Sequence, residues 1–228
     1  NKPALEEWQT LESRRLHGEP VTYLIGKKGF HNIELQVAPG VLIPRPETEL
    51  LVDIALKEIK RIEDSVNTPK ILDLGTGSGA IALAIANEVP NSQVIATDQS
   101  AEALAIAKLN AKSLKLESRV QFAQGSWYQA LIENDIFDII LSNPPYIPIR
   151  EKESMQKQVV NFEPSLALFV PDEDPLIFYR TIAKMAKQSL SKNGQLFFEI
   201  HYDQGNAVLT LLNELNVSDA LITSLSKQ

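Results

Sequence analysis

The sequence predicts an α/β fold, in which a mostly parallel sheet is flanked by helices and preceded by a helical segment and a small β-hairpin linker. From residue 46 onwards, short apolar runs alternate with segments whose apolar residues recur every three or four positions. Strands that alternate with helices form parallel sheets covered on both faces. The 228 residues, 44% hydrophobic and 22% charged, suffice for one main domain with a small appendage.

The first 45 residues precede this alternation. Residues 1–20 are interpreted as the end of an N-terminal helical domain, because apolar side chains recur at helical spacing before Gly18. Residues 21–45 are predicted to form a β-hairpin linker. It contains three short apolar runs separated by glycine and proline: VTYLIG, FHNIELQVA and VLI.

Residues 46–228 are predicted to form the main domain, which opens with a helix at Pro46. Proline in the first turn and the acids Glu47 and Glu49 near the positive end of the helix dipole are typical of a helix start. Strands are predicted at KILDLG, QVIATD, RVQFAQG, FDIILS and QLFFEI. Helices are predicted at 78–89, 101–116, 176–190 and 204–215, with a short one at WYQALI.

The composition excludes several classes of protein. No apolar run is long enough to span a membrane and no signal-peptide pattern is present, so we expect a cytoplasmic protein without a membrane partner. The chain has no cysteine, which excludes disulfides and Cys-ligated metals, and no metal site is predicted. The net charge of −7 contrasts with the basic face of most DNA-binding proteins, so direct nucleic-acid binding is not expected.

The segment ILDLGTGSGAIALAIA, residues 71–86, contains the first candidate site. Gly75, Gly77 and Gly79 alternate where a strand turns into a helix, and Thr76 and Ser78 complete this glycine loop. Glycine lets the backbone approach a ligand closely, and the helix N-terminus presents N–H groups to the same place. Asp98, which ends the next predicted strand, is a candidate for binding ribose hydroxyls.

Two cofactors fit this pattern. Gly75, Gly77 and Ala80 satisfy the dinucleotide fingerprint G-x-G-x-x-G/A. Asp73, directly before the glycines, would repel a pyrophosphate but attract the amine of S-adenosylmethionine. The local pattern favours S-adenosylmethionine, and NAD stays an alternative.

The segment SNPPYIP, which follows the predicted strand FDIILS, contains the second candidate site. Pro144 and Pro145 have no N–H group and stiffen the loop, and Tyr146 adds a flat face for stacking. The Asn143 side-chain oxygen and the Pro144 carbonyl could accept both hydrogens of a planar –NH2 group. Its nitrogen would then face an electrophile on the cofactor, and positioning of this kind lowers a barrier by about 7–11 kcal/mol in ideal cases.

The motifs DLGTGSG and NPPY resemble those of class I methyltransferases that modify planar amino nitrogens. Residues 14–50 with IPRPETE, together with NFEPSLAL and FFEI, are similar to the peptide chain release factor N5-glutamine methyltransferases. The resemblance covers nearly the whole chain. It implies a Rossmann-like fold with a seven-stranded sheet, S-adenosylmethionine as cofactor and S-adenosylhomocysteine as product. It also implies release factors as partners, methylated on the glutamine of their Gly-Gly-Gln loop.

The resemblance assigns roles to both sites. Asp98 and the loop Gly75–Gly79 would hold the cofactor, and Trp127 would lie beside the adenine. Asn143, Pro144, Pro145 and Tyr146 would hold the glutamine amide, with Asn143 also touching the cofactor. The stretch containing Arg45, Glu47 and Glu49 would close over the site without a catalytic role, and His201 is interpreted as a surface residue.

Four alternative functions remain at this point. A related enzyme could methylate a glutamine of a ribosomal protein. A DNA adenine N6-methyltransferase would use the same NPPY motif on a flipped base. A dinucleotide-dependent oxidoreductase would explain the glycines alone, and a non-catalytic protein-binding module would need neither motif.

Overall fold

The centre of the molecule is a parallel five-stranded sheet. The structure is a computed structural model and describes residues 2–62, 65–130 and 135–217. The strands lie in the order Val120–Gln124 (β5), Gln93–Asp98 (β4), Lys70–Leu74 (β3), Phe137–Ser142 (β6) and Leu190–Phe198 (β9). Two smaller ladders flank it: antiparallel Lys27–Phe30 (β1) with Ile33–Gln36 (β2), and parallel Ile147–Pro148 (β7) with Phe169–Val170 (β8).

Eight α-helices accompany the strands in the described residues. They are Lys2–Leu16 (α1), Val21–Ile25 (α2), Pro46–Ile62 (α3), Ala80–Glu88 (α4), Ala101–Ser113 (α5), Lys157–Phe162 (α6), Ile177–Ser189 (α7) and Gly205–Glu214 (α8). None of these helices combines the length and the apolar character that crossing a bilayer would require.

The core has two layers because neighbouring residues of a strand point to opposite faces of the sheet. Ile71 and Ile139 contact α3 and α4 on one face. Leu72 and Ile140 contact α7 on the other face. Both faces of the central strands are therefore covered, which is why β3 and β6 are nearly continuous apolar runs.

The strand order reverses between β3 and β6. The chain runs outward through β3, β4 and β5, then returns to the other side of β3 with β6. Ile71 pairs with Ile139, and the Ser142 hydroxyl donates to the Leu74 carbonyl at 2.7 Å. Open parallel sheets bind ligands beside the carboxyl ends of their strands at such a reversal. Both candidate loops leave the sheet there.

The α/β fold with a mostly parallel sheet is confirmed, and three details differ from the prediction. The described residues contribute five strands to the sheet rather than seven, and residues 218–228 lie outside the described part of the chain. VTYLI is the short helix α2 rather than a strand, since Pro20 precedes it and Gly26 ends it in a left-handed conformation with φ 74°. Val41–Ile43 forms no strand, and Val41 and Leu42 line a cavity instead.

Candidate active site

A cavity of about 260 Å³ lies beside the carboxyl ends of β3, β4 and β6. Its floor contains the glycine loop after β3 and the end of β4. Gly125–Trp127 form one side, and Asn143 and Pro145 another. Two further segments, which we call the roof, complete the walls: residues 40–45 of the linker and 164–167. The cavity therefore brings both candidate loops together.

The glycine loop uses most of its own backbone N–H groups. The N–H groups of Gly75 and Thr76 both donate to the Thr97 carbonyl at 2.9 Å. The N–H of Gly77 donates to Asp98 Oδ2 at 2.8 Å, and that of Gly79 donates to the Thr76 carbonyl at 2.9 Å. These bonds tie the loop to the end of β4.

This bonding pattern separates the two cofactors that fit the glycine spacing. A pyrophosphate is held by unpaired loop and helix N–H groups. Here four loop N–H groups are occupied, and in α4 the N–H of Ala82 donates to Asp73 Oδ2 at 3.2 Å. Because the side chains of Asp73 and Asp98 add negative charge, the loop suits a cationic ligand better than a phosphate.

Asp73 is fully buried at the end of β3, with 0% exposure. Its Oδ2 accepts from the Thr76 hydroxyl at 2.6 Å, whereas no donor in the described part of the chain reaches its Oδ1. Burial raises the pKa of Asp73 to about 7, against the lowering effect of the Thr76 and Ala82 hydrogen bonds. An unpartnered buried carboxylate oxygen is a place where an ammonium group would be stabilised.

Asp98 lies at the cavity wall at the end of β4. Its Oδ1 accepts from the Ser100 N–H at 2.9 Å, and its Oδ2 holds Gly77. Burial raises the pKa of Asp98, while these backbone hydrogen bonds lower it. Each carboxylate oxygen accepts more than one hydrogen bond, so Asp98 can both fix the loop and accept from hydroxyl groups.

The glycines of the loop have two different reasons to be glycine. Gly75 and Gly77 have φ values of 73° and 57°, and a Cβ at either would meet nothing within 4 Å. A Cβ at Gly79 would lie 2.8 Å from Leu83 Cδ1 and 3.3 Å from Ala107 Cβ. Gly79 thus permits close packing of α4, whereas Gly75 and Gly77 leave open space for a ligand.

Trp127 lies at the cavity wall in a strained backbone conformation. Its φ of 49° is unusual for a bulky residue. The indole ring packs against Phe178 with 4.9 Å between ring centroids, so α7 fixes its position. A flat, held aromatic face at a cavity wall suits a planar heterocycle such as adenine.

The Asn143 side chain begins a chain of hydrogen bonds across three elements. Its Nδ2 donates to Thr48 Oγ1 at 3.2 Å, and the Thr48 hydroxyl donates to Glu199 Oε2 at 2.6 Å. The Tyr146 hydroxyl donates to the other oxygen, Glu199 Oε1, at 3.1 Å. We call Asn143, Thr48, Glu199 and Tyr146 the amide network.

The four residues of the NPPY motif take different places. Asn143 and Pro145 line the cavity, and Pro144 is buried beside them. Tyr146 lies behind the wall, where its hydroxyl bonds Glu199 and its ring packs against the apolar cluster of α7 and α8. Burial raises the pKa of Tyr146, and the negative charge of Glu199 raises it further. The stacking face predicted for Tyr146 stays a prediction.

Three residues of the site were not identified from the sequence alone. Thr48 and Glu199 complete the amide network, and Glu163 joins the two roof segments. Glu163 Oε1 accepts from Arg45 Nη2 at 2.6 Å, and Oε2 accepts from the Ile43 N–H at 3.0 Å. The sequence contains little indication of their roles, because each is a single polar residue inside the segment IPRPETE, NFEPSLAL or FFEI.

His201, interpreted from the sequence as a surface residue, is partly exposed in the structure. Its side chain is only 11% exposed and lies between Asp203, Glu151 and the ring of Tyr146. The Tyr146 and His201 ring centroids are 5.7 Å apart. His201 therefore supports the outer side of the NPPY loop.

Comparison with known proteins gives concordant matches. The methyltransferase small domain family matches residues 48–162. The release factor glutamine methyltransferase of Flavobacterium psychrophilum is 41% identical over 96% of this chain and 75% of that protein. The one of Xylella fastidiosa is 46% identical over 92% of this chain and 74% of that protein. The crystal structure of the ribosomal protein L11 methylase from Lactobacillus delbrueckii subsp. bulgaricus has the same fold, with a TM-score of 0.53 and 21% identity over 79% of this chain and 74% of that one.

Proposed function

The chain belongs to the release factor glutamine methyltransferase family, and we infer from this that it methylates the side-chain amide nitrogen, N5, of a release factor glutamine. The chain is an S-adenosylmethionine-dependent methyltransferase. The glutamine is the one in the Gly-Gly-Gln loop of peptide chain release factors, which are the protein partners of the reaction. The product of the cofactor is S-adenosylhomocysteine.

S-adenosylmethionine supplies a methyl group on a positively charged sulfur, which is the electrophile of the reaction. Asp98 would accept hydrogen bonds from the ribose hydroxyls, and Trp127 would hold the adenine. Asp73 is fully buried directly before the glycine loop and does not line the cavity, so its carboxylate would stabilise the ammonium end through its negative charge. Gly75 and Gly77 leave the space in which the cofactor lies against the loop. The occupied N–H groups and the two carboxylates support this cofactor over NAD.

The position of Asn143 is the observation that supports a side-chain amide as the substrate. Asn143 lies at the wall of the cofactor cavity, and its Nδ2 is committed to Thr48. Its Oδ1 diverges from the same carbon and is left to accept from the –NH2 group of a substrate amide. The Pro144 carbonyl accepts the second hydrogen. An amide nitrogen is a poor nucleophile, so fixing its orientation towards the methyl group is the main contribution of these residues.

The proposal is tested by methyl transfer from labelled S-adenosylmethionine to a purified release factor. We expect label on the wild-type factor and none on a factor whose loop glutamine is replaced by alanine. Unmethylated DNA serves as a second acceptor. Label on DNA alone, or label that survives the glutamine replacement, would contradict the proposed substrate.

Asn143→Ala separates catalysis from cofactor binding in the same assay. Loss of one preorganised hydrogen-bonding group in an active site costs about 100- to 1,000-fold in rate. We expect kcat to fall by that factor while the Kd for S-adenosylmethionine changes little. A kcat close to the wild-type value would show that Asn143 does not hold the amide.

A further inference from the structure

We propose that Thr48 and Glu199 are positioning residues that determine which way the side-chain amide of Asn143 faces. This inference rests on the proposed function, in which Asn143 must present an oxygen to the substrate –NH2 group. An asparagine amide can adopt two orientations that differ by a half-turn. One presents Oδ1 to the substrate, and the other presents Nδ2, a donor that would oppose the two substrate hydrogens.

The Glu199 carboxylate determines which atoms of the amide network donate and which accept hydrogen bonds. An ionised carboxylate only accepts hydrogen bonds. Thr48 Oγ1, at 2.6 Å from Oε2, and Tyr146 OH, at 3.1 Å from Oε1, must therefore both act as donors. Because the Glu199 carboxylate can only accept, the hydroxyl hydrogens of Thr48 and Tyr146 both point towards it.

The hydrogen bond from Thr48 to Glu199 in turn determines the orientation of the Asn143 amide. A hydroxyl has one hydrogen, and that of Thr48 is used by Glu199. Towards Asn143 the Thr48 oxygen can only accept, so the atom at 3.2 Å must be the donor Nδ2. With Nδ2 directed at Thr48, Oδ1 faces the other way. The reversed amide would place two acceptor oxygens against each other.

The backbone on both sides of Glu199 is also fixed. The Glu199 N–H donates to the Ser142 carbonyl at 3.1 Å, directly before Asn143, and the Tyr179 hydroxyl donates to the Glu199 carbonyl at 3.3 Å. Burial raises the pKa of Glu199, while donation from Thr48, Tyr146 and the Asn143 side chain lowers it. Placing an anion here is costly, and a neutral residue would fill the same space more cheaply, which favours a role for the charge itself.

The test compares three substitutions with the wild type. Thr48→Val keeps the shape of the side chain but removes the hydroxyl, whereas Thr48→Ser keeps the hydroxyl. Glu199→Gln keeps the size but introduces an amide that can donate to Thr48, so both orientations of Asn143 become possible. Thr181→Val serves as a control, because among the residues that the structure describes its hydroxyl bonds only its own helix, at the Ile177 carbonyl.

We expect kcat for release factor methylation to fall about 10- to 100-fold in Thr48→Val and Glu199→Gln. The KM for the release factor and the Kd for S-adenosylmethionine should stay within about threefold, because the orientation of Asn143 acts mainly in the transition state. Thr48→Ser should restore most of the kcat, and Thr181→Val should match the wild type. A kcat near the wild-type value in both Thr48→Val and Glu199→Gln would overturn the proposal.

A second measurement does not depend on the substrate. In 15N-labelled protein the Asn143 side-chain NH2 signal is assigned by its loss in Asn143→Asp. Its hydrogen exchange should be slow in the wild type and in Thr48→Ser, and faster in Thr48→Val and Glu199→Gln. Equal exchange rates in all four proteins would overturn the positioning role. If the wild type transfers no methyl group to release factors, the proposed function fails, and this measurement still decides the orientation of Asn143.

Discussion

Two aspartates, Asp73 and Asp98, determine the charge at the cofactor end of the cavity. Asp73 and Asp98 follow neighbouring strands, and each uses an oxygen to hold a backbone N–H of the glycine loop or of α4. The groups that would otherwise attract a phosphate are thereby neutralised. The same glycine spacing can therefore serve a dinucleotide or a cationic cofactor, depending on which residues occupy the N–H groups.

We expect Asp73 to give the affinity for S-adenosylmethionine a specific dependence on pH. Its pKa in the free protein is about 7, raised by burial, so the neutral acid dominates below that pH and the carboxylate above it. Only the charged carboxylate would stabilise the ammonium group of the cofactor. Binding should thus release a proton, and affinity should increase as the pH is raised from 6 to about 7.5. Calorimetric titration in buffers of different ionisation enthalpy measures both quantities.

Asp73→Asn is the matching control, because an amide can still accept from Thr76 but cannot ionise. We expect its affinity to be about tenfold lower or more at pH 7.5, the range of a hydrogen bond to a charged group. Its proton release should be absent. An unchanged pH dependence in this variant would assign the effect to another group.

Site residues could be predicted from the sequence when their partners are close neighbours along the chain. The glycines, Asp73 and Asp98 form the site with their sequence neighbours, so a short motif identifies them. Thr48 and Glu199 hydrogen-bond each other across 151 positions, and neither has a motif of its own. Only the packing of α3 beside the end of β9 brings them together, and spacing along the chain contains no information on that contact.

At the scale of secondary-structure elements, the junction of the glycine loop with α4 combines a tight turn and close packing. Gly79, with φ 87°, precedes the helix, and α4 lies against α5 at this point. Its first residues are buried on every side, so the helix cannot shift to make room. The loop can approach a ligand only because the helix behind it is fixed.

Gly79→Ala should mainly lower stability, whereas Gly77→Ala should mainly weaken cofactor binding. At Gly79 a methyl group would collide with Leu83 in a left-handed backbone, which costs about 1–3 kcal/mol and lowers Tm. At Gly77 the methyl group meets no atom within 4 Å, so Tm should fall less, while the affinity for S-adenosylmethionine falls. Thermal denaturation and ligand titration of both variants measure this. Equal losses of Tm would show that the clash is relieved by movement of Leu83.

The roof is held by a buried ion pair. The carboxylate of Glu163 is 1% exposed and joins Arg45 and the Ile43 N–H. Since both roof segments line the cofactor cavity, this residue ties them into one wall. Removing one partner of such a pair leaves an uncompensated charge, which is much more costly than losing a surface pair.

Glu163→Ala should therefore release the cofactor faster. We expect the dissociation rate of S-adenosylmethionine to increase about tenfold, in line with a loss of a few kcal/mol that is partly recovered by hydration of Arg45. Stopped-flow displacement measures the rate. The control is Glu58→Ala, which removes the exposed pair of Arg61 and Glu58, also 2.6 Å long, and should have no effect. Equal rates in the two variants would contradict the role of the roof.

Elements with strong periodicity were predicted closely, and short ones were not. QVIATD is β4 with the predicted bounds, and the helix predicted from Pro46 is α3. VTYLI was predicted as a strand because it is a short apolar run bounded by proline and glycine, but five residues carry too little pattern to decide. Here the buried Tyr23, which donates to the Val41 carbonyl at 2.6 Å, favours the helical turn through tertiary contact.

At the scale of the whole molecule, the cavity joins the linker, the sheet and the irregular segment after β6. A ligand that contacts all three should stabilise the complete fold rather than one loop. Binding at 100 times Kd contributes about 2.7 kcal/mol to the free energy of unfolding. For a protein of this size that corresponds to a Tm increase of about 5–10 °C.

This predicts a Tm increase with S-adenosylmethionine or S-adenosylhomocysteine and no increase with NADH at the same concentration. Differential scanning fluorimetry measures both in one experiment. The reverse result would favour a dinucleotide-dependent oxidoreductase. Asp98→Asn, which weakens the ribose contact, serves as a control and should show a smaller increase.

The pairing of β3 with β6 has a consequence for how the molecule folds. Leu74 and Ser142 hydrogen-bond across 68 positions, and these two residues precede the glycine loop and the NPPY motif. Contacts of such long range form slowly, because the entropy cost of closing the loop between them comes before the stabilisation that the strand pairing provides. Helices and the pairing of β3 with β4 can form earlier without bringing the two loops together. Methyl-transfer capacity should consequently appear late in refolding, with the docking of β6 as the step that creates it.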